Sequence, residues 1–263
     1  QTLQRFEEAL ASYDQAIRIN PHYADAYSNR GNTLKELQRF EEALASYDQA
    51  IRINSNYVGA YYNRGVTLQE LERFDEALAS YNEAIAIEPD FAEAYSNYGI
   101  VLKELKRFEE ALVSFDKAIA IKPDFVEAHS NLGIALQELQ RFEEALVSYN
   151  EAIRINPHYA QAYSNRGNVL KELERFEEAL VSYNEAIAIK PDYAEAYSNR
   201  GVTLKKLQRF EEALASFDHA TAIKPDYAEA HANRGTALKE LQRFDEALVS
   251  YNEAIRIKPA YTE

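Results

Sequence analysis

The chain has 263 residues, a length that by itself predicts one or two globular domains. It carries 43 acidic and 29 basic residues, and its net charge of −14 makes nucleic acid and anionic membranes poor candidate partners, because both are negatively charged. The sequence has no cysteine, which excludes disulfides and cysteine metal sites, and no apolar run near the ~20 residues of a transmembrane helix. It shows no signal peptide, so we expect a cytoplasmic protein without a membrane anchor.

A repeat of 34 residues runs through the chain. One glycine and one phenylalanine recur at this spacing from Gly31 and Phe40 onward, and a proline recurs with Ser55 as its one replacement. The complete units are 24–57, 58–91, 92–125, 126–159, 160–193, 194–227 and 228–261. Residues 1–23 match the second half of a unit and residues 262–263 form a tail, so we expect the sequence to begin in mid-repeat. Because no linker interrupts the pattern, it predicts one continuous repeat array.

Each unit has the apolar periodicity of two amphipathic helices, and the pattern therefore predicts an all-α protein. In the first complete unit the helices are predicted over 24–37 and 40–53, separated by a short turn. Proline after each second helix ends it, because proline lacks the amide hydrogen that the helix would need. The spacing of Asp90 and Glu93, which other units share, predicts a capping box at the start of the next first helix.

Small residues inside the helices indicate close packing. Glycine in a helix costs up to about 1 kcal/mol relative to alanine, so its recurrence from Gly31 onward calls for a large residue that fills the space. Tyr47, Phe40 and the aromatic residue that ends each unit are the candidates. Those terminal aromatics are Tyr23, Tyr57, Phe91, Phe125, Tyr159, Tyr193, Tyr227 and Tyr261.

A helix–turn–helix unit of this length resembles a tetratricopeptide (TPR) repeat. The residues of the first complete unit that carry the resemblance are Tyr27, Gly31, Leu34, Ala43, Tyr47 and Ala50. The resemblance implies a right-handed α-solenoid, a superhelix whose first helices line a concave groove. The chain departs from the family at the turn, where Gln38 replaces a common glycine, and at Arg30, where leucine is common. We expect the arginines of this column to pair with carboxylates, with Asp48 and its equivalents as partners.

Asparagine occupies one position of the first helix in every complete unit. These residues are Asn29, Asn63, Asn97, Asn131, Asn165, Asn199 and Asn233. Asparagine is a mediocre helix former, but its amide both donates and accepts hydrogen bonds, so a row of asparagines can hold an extended peptide backbone. In this respect the chain looks similar to the TPR superhelix of O-linked GlcNAc transferases. The alternative is that each asparagine bonds a neighbouring helix or its own backbone.

Neighbouring positions of the first helices vary between units, and we expect ligand selectivity there. A serine column begins at Ser28 and a mixed column at Asn32. A third column supplies the candidate cations Lys35, Lys103 and Lys171. The second to fourth units offer a more apolar patch, with Tyr62, Val66, Ile100 and Ile134 as further candidate peptide-binding residues. Ordinary drift between repeats is the alternative explanation of this patch.

The leading interpretation is a protein-interaction scaffold that binds an extended, neutral or basic segment of a protein partner. We expect no enzymatic activity, no cofactor and no metal, since the histidines are scattered and no nucleophile or phosphate-binding motif is present. The cation positions of the chaperone-tail carboxylate clamp hold other residues, which argues against that ligand.

Two alternatives remain open. The array could recruit substrates for a larger enzyme, such as a glycosyltransferase, with its catalytic domain beyond Glu263. It could also assemble head to tail through uncapped ends, where apolar helix faces are expected to be exposed. The residues expected on these faces are Phe6, Leu10, Tyr13, Ala247, Tyr251 and Ile255.

Overall fold

The computed structural model describes residues 2–259, and these form fifteen α-helices and no strand. They divide into two compact units, Gln1–Ala135 and Leu136–Glu263, and the division falls inside the helix Val126–Glu138. These are the first unit and the second unit of the structure, as distinct from the 34-residue repeats. The helices of the first unit are α1 (Thr2–Ile19), α2 (Ala24–Glu36), α3 (Phe40–Ile53), α4 (Val58–Glu70), α5 (Phe74–Ile87), α6 (Ala92–Glu104) and α7 (Phe108–Ile121), followed by α8 (Val126–Glu138). The helices of the second are α9 (Phe142–Ile155), α10 (Ala160–Glu172), α11 (Phe176–Ile189), α12 (Ala194–Lys206), α13 (Phe210–Ile223), α14 (Ala228–Glu240) and α15 (Phe244–Ile257).

The expectation of an all-α array of helix–turn–helix units is confirmed, and the helix bounds match those expected to within one residue. Tyr261 and the tail at 262–263 lie outside the described residues. Of the helices that the structure describes, none is long and apolar enough to cross a membrane.

Each hairpin turn contains one non-glycine residue in the left-handed region, which satisfies the carbonyls at the end of the first helix. At Gln208 the angle φ is 57°, and the amides of Gln208 and Arg209 donate to the carbonyls of Lys205 and Leu204 at 3.0 and 2.9 Å. The equivalents are Gln38, Glu72, Lys106, Gln140, Glu174 and Gln242. The turn is therefore a left-handed one, at the conformational cost that a side chain brings there.

The predicted capping box is wrong. The N-cap of α6 is Phe91, one residue after Asp90, and no side chain caps the helix. The N-cap residues of α2, α4, α10, α12 and α14 are likewise aromatic, as at Tyr57. The helix starts one residue later than the Asp–Glu spacing predicted, so the aspartate falls outside it. Glu93 still lies in the first turn, where the helix dipole favours its charge.

The helical glycines receive the aromatic ring of the second helix in the same hairpin. A Cβ added to Gly31 would lie 2.5 Å from Tyr47, and one added to Gly201 would lie 2.6 Å from Phe217. Both rings are completely buried. The ring that fills the space is thus Tyr47 and its equivalents, rather than Phe40 or the aromatic at the end of the unit.

The arginine column joins successive hairpins. Arg64 of α4 donates to Asp48 of α3 at 2.8 Å and to Ser80 of α5 at 2.6 Å, which confirms the expected partner. In the second unit, Arg200 instead meets the amide oxygen of Asn184 at 3.0 Å. Burial lowers the pKa of Arg200, because the nearby Tyr197 and Glu212 offset only part of the loss of water around the guanidinium.

The terminal helices expose different residues from those expected. Leu10 is buried at 6% exposure, and Ala247 at 4%. The large apolar side chains exposed on α15 are Phe244 at 62%, Leu248 at 60%, Val249 at 67% and, as expected, Ile255 at 37%. Positions equivalent to Leu248, such as Leu214, are buried because the following first helix covers them.

Candidate functional site

The asparagine column lies where neighbouring first helices meet. In the first unit α4 contacts both α2 and α6, and in the second α12 contacts both α10 and α14. Asn29 is exposed, Asn165 is buried at 9% exposure, and the other members of the column are half-buried. The column therefore follows a surface to which its side chains have graded access.

In the first unit, most hydrogen-bonding groups of the asparagine side chains in this column have no partner among the described residues. Asn97 donates to the hydroxyl of Tyr62 at 3.0 Å across neighbouring first helices. The side chains of Asn29 and Asn63 form no hydrogen bond with other described residues, although their backbone carbonyls accept from threonine hydroxyls one turn later. Both alternatives considered for this column are thus represented in one unit, internal bonding at Asn97 and open amides at Asn29 and Asn63.

In the second unit the column is more engaged. Asn199 donates to Asn168 at 3.0 Å, and Asn233 accepts from Lys205 at 2.8 Å. Asn165 accepts from Gln161 of its own helix at 3.2 Å, while its buried amide nitrogen has no partner. Asn199 and Asn233 therefore join neighbouring first helices, whereas the bond of Asn165 stays within α10.

The serine column does not belong to the accessible surface. Ser28, Ser96 and Ser164 are only 2–3% exposed, as the small side chains between packed helices. Ser28 is therefore a packing residue, contrary to the expectation that its column lies in the groove. Sequence reasoning missed this because serine is neither clearly apolar nor clearly functional.

The variable columns supply one partner for each buried tyrosine hydroxyl. Tyr47 donates to Asn32 of α2 at 2.9 Å. Its equivalent Tyr81 donates to Gln69 of α4, also at 2.9 Å, and Gln69 lies three residues after the position that corresponds to Asn32. The remaining tyrosine–acceptor pairs are Tyr149–Gln137, Tyr183–Asn168 and Tyr251–Thr236. Two repeats have phenylalanine in place of the tyrosine, and their first helices carry no amide at the positions that correspond to Asn32 and Gln69. In the repeat of Phe115, for example, these positions hold Ile100 and Lys103. Variation in these columns therefore follows the core hydroxyl.

Burial also raises the pKa of Tyr47, Tyr81, Tyr149 and Tyr183. A buried phenol kept neutral remains a hydrogen-bond donor, so each acceptor on the first helix is held in place by the hydroxyl below it. The amide or hydroxyl at this position thus has part of its hydrogen-bonding capacity committed to the core.

Three of the predicted cations are neutralised by neighbouring carboxylates. The ammonium groups of Lys35, Lys103 and Lys171 lie 3.9, 3.7 and 3.4 Å from the glutamate that follows each in sequence. Their side chains are only 19–24% exposed. The face around them is therefore locally close to neutral despite its charged side chains.

The predicted apolar patch is half-buried. The ring of Tyr62 packs against Phe91 with 4.8 Å between ring centroids, and Val66, Ile100 and Ile134 are each partly exposed. Tyr62 is held by this packing and by its hydrogen bond from Asn97. Whether the patch selects a ligand stays a prediction.

No group of three or more potential metal-ligating side chains occurs among residues 2–259. His129 and His231 each bond the carbonyl of the proline six residues earlier, at 2.9 Å. Each ring is therefore bonded to the loop that precedes its own helix.

The first-helix surface offers hydrogen-bonding groups, apolar side chains and a few charges, and these are the interactions by which a protein surface holds a ligand.

Family models agree with this architecture. A model described as TPR repeat matches 2–38, 31–72, 99–140, 136–174 and 167–208, which together span more than half of the chain. The chain belongs to the tetratricopeptide repeat family. Further models described as Tetratricopeptide repeat match 58–91, 80–113 and 192–260, so TPR assignments extend over nearly all described residues.

Solved TPR structures resemble the chain. YrrB, described as a TPR protein with an unusual peptide-binding site, is 29% identical with a TM-score of 0.60, over 70% of this chain and 95% of YrrB. PilF of Pseudomonas aeruginosa is 20% identical with a TM-score of 0.69, over 88% and 99%. A chain of the APC/C hetero-tetramer Cut9–Hcn1 is 14% identical with a TM-score of 0.69, over 97% and 50%. The last two show the fold alone, and no curated protein sequence matches.

Proposed function

We propose that the chain is a peptide-binding TPR scaffold that holds an extended segment of a partner protein across its first helices. The observation that carries the proposal is the asparagine column, whose accessible members have hydrogen-bonding capacity that the fold does not use. The likeness to YrrB, itself described as having a peptide-binding site, supports the same reading.

The hydrogen-bonding arithmetic favours a backbone ligand. An asparagine amide has two donor hydrogens and an acceptor oxygen, and Asn29 and Asn63 spend none of these on other described side chains. A peptide in extended conformation presents one donor and one acceptor per residue, which an amide can bond in pairs. Recognition of this kind holds the chain and leaves side-chain selectivity to the neighbouring positions. The likeness to the asparagine column of O-linked GlcNAc transferases is part of this proposal.

Charge narrows the ligand. The lysines at 35, 103 and 171 are paired with glutamates, and the whole chain carries a net charge of −14. Long-range attraction therefore favours a segment that is neutral or basic overall. The proposal needs no cofactor and no catalytic group, and the location in the cytoplasm stays a prediction.

The test uses peptides selected by the wild-type chain from a random display library. Replacing Asn29 and Asn63 together by Ala is expected to weaken binding of these peptides by about tenfold or more, because several hydrogen bonds to the backbone are lost. Isothermal titration measures the affinity. Neither side chain forms a hydrogen bond with another described residue, so thermal unfolding should be unchanged.

Asn82→Ala is the matched control, since Asn82 is exposed on the second helix α5. It should leave binding unaltered. Equal affinity of the wild type and the Asn29/Asn63 variant for every selected peptide would remove the asparagine column from the proposed function.

A further inference from the structure

A cavity of about 380 Å³ lies between α12 and α14, beside the asparagine column. Its wall consists of Val202, Lys205, Lys206, Phe210, Thr236 and Glu240. This volume falls in the lower part of the ~300–1,000 Å³ range of small-ligand sites. The cavity combines two ammonium groups and one carboxylate, that of Glu240, with an apolar wall and a hydroxyl, so its lining is net positive in a chain that is strongly acidic.

Lys205 differs from the other half-buried lysines of its column. Its ammonium donates to the amide oxygen of Asn233 at 2.8 Å and lies 5.8 Å from the centre of the Phe217 ring. Among residues 2–259, no carboxylate forms an ion pair with it. Burial lowers the pKa of Lys205, and the charge of Lys206 lowers it further, whereas Glu240 acts in the opposite direction. The ammonium is thus partly removed from water and lacks a direct counter-ion.

The sequence explains why the counter-ion is missing. In the repeats of Lys35, Lys103 and Lys171 the residue after the lysine is glutamate, and that glutamate supplies the ion pair. In the repeat of Lys205 the residue after the lysine is Lys206, so a positive charge stands where the other repeats have a negative one. The same repeat has Phe217 in place of tyrosine, so no phenol hydroxyl occupies the space between the ring and the ammonium of Lys205.

We propose that the cavity between α12 and α14 binds a carboxylate, the side chain of a glutamate or aspartate in the bound peptide segment. Lys205 and Lys206 provide two positive charges against the single carboxylate of Glu240, and the amide of Asn233 lies beside Lys205. The hydroxyl of Thr236 already donates to the carbonyl of Ala232 at 3.1 Å, so it contributes a polar wall and no donor. The aliphatic part of the ligand side chain contacts Val202 and Phe210. This inference rests on the proposed peptide-binding function and adds one acidic position to a segment that is otherwise neutral or basic.

The first test uses two small probes that differ only in side-chain charge, N-acetylglutamate and N-acetylglutamine, both with the α-carboxyl group blocked as a methyl amide so that only the glutamate probe carries a carboxylate. Each is titrated into ¹⁵N-labelled protein while the side-chain amide resonance of Asn233 is followed. N-acetylglutamate is expected to shift this resonance in a saturable way, and N-acetylglutamine is not. Equal shifts from both probes, or a shift from neither, would overturn the carboxylate site.

Two variants assign the response. Lys205→Met keeps the apolar stem and removes the charge, and Lys206→Glu restores the residue type of the other units. Each is expected to weaken the N-acetylglutamate response by about tenfold, since a charge-assisted contact is lost. Lys117→Met is the matched control, because Lys117 is exposed on α7 and does not line the cavity. An unchanged response in both cavity variants would contradict the inference.

The second test separates this inference from the proposed function. Peptides selected from a random library by the wild type should be enriched in one acidic position, and Lys206→Glu should weaken their binding by about tenfold. Selected peptides with no acidic position and equal affinity for both chains would refute the carboxylate site but leave peptide binding intact. Failure to select any peptide would refute peptide binding, and with it a peptide carboxylate in the cavity, even if N-acetylglutamate binds.

Discussion

Two adjacent repeats of the second unit, residues 160–193 and 194–227, share a backbone and differ on their first-helix surface. In the former, Tyr183 donates to Asn168 at 2.8 Å and Lys171 pairs with Glu172. In the latter, Phe217 replaces the tyrosine, and the lysine has turned to Asn233. The comparison shows that the core hydroxyl goes with an acceptor on the first helix, whereas the residue that follows the lysine decides whether the lysine has a carboxylate partner, since Lys103 pairs with Glu104 above Phe115.

The largest effect is expected where the two repeats agree. A Cβ at Gly167 or Gly201 would lie 2.7 or 2.6 Å from the ring packed against it, so Gly→Ala at either place overpacks the hairpin. We expect each change to lower the free energy of unfolding by about 1–3 kcal/mol, as measured by urea denaturation. Stabilisation by either alanine, as helix propensity alone predicts, would show that the ring moves away freely.

The next effect tests the difference. Asn168→Val removes the acceptor that the Tyr183 hydroxyl and the Asn199 amide share, and it should cost about 1–3 kcal/mol in urea unfolding, because the hydroxyl stays buried without this partner. Adding Tyr183→Phe converts this repeat toward its neighbour and should recover the part of the loss that comes from the hydroxyl, while Asn199 stays without its partner. If Asn168→Val alone is harmless, the hydroxyl has another partner and the comparison loses its basis.

A smaller effect concerns a feature that the two repeats share, an arginine facing asparagine. Asn184→Asp places a carboxylate beside Arg200, as Asp218 lies 2.6 Å from Arg234 in the following repeat. We expect a gain of about 0.2–1 kcal/mol in the free energy of unfolding, the range of partly exposed ion pairs. Asp218→Asn serves as the reverse exchange, and a gain in both variants would contradict this explanation.

The smallest effect per residue is expected from pH, and it should be equal in the two repeats. Hydrogen bonds from Arg175 and Arg209 lower the pKa of Glu178 and Glu212 below the ordinary value of 4.5. A depressed carboxyl pKa contributes stability above the unfolded pKa, and this is lost as pH falls through the folded value.

Urea unfolding of Glu178→Gln and Glu212→Gln between about pH 6 and about pH 3 measures this contribution. Each variant should lose less stability on acidification than the wild type. Slopes identical to that of the wild type would show that these pairs do not contribute.

The repeat period and the apolar pattern were enough to predict the helices and the small residues that bring them together. The position of the N-cap was not, because Asp90 and Phe91 differ by one residue and only the backbone decides between them. The ring over Gly31 was narrowed to three candidates by sequence, and helix direction then places Tyr47 against the glycine.

The candidate site was less predictable. Sequence singled out Asn29 and its equivalents, but a repeat pattern does not say whether an amide faces a ligand or a neighbouring helix. Asn32 and Gln69 occupy different columns yet accept from equivalent tyrosines, so a column-by-column reading misses the exchange. A comparison of both columns with the tyrosine or phenylalanine of the same unit would have shown it.

The left-handed turn residues also bear on how the second unit opens. Separating α12 from α13 breaks the turn hydrogen bonds of Gln208 and Arg209 and uncovers the face of Phe217 that packs on Gly201. Separating two neighbouring hairpins leaves these turn hydrogen bonds intact. Amide hydrogen exchange should therefore report protection in blocks of two helices. The block of α14 and α15, with Leu248 60% exposed, should exchange earliest, so the protein loosens one hairpin at a time.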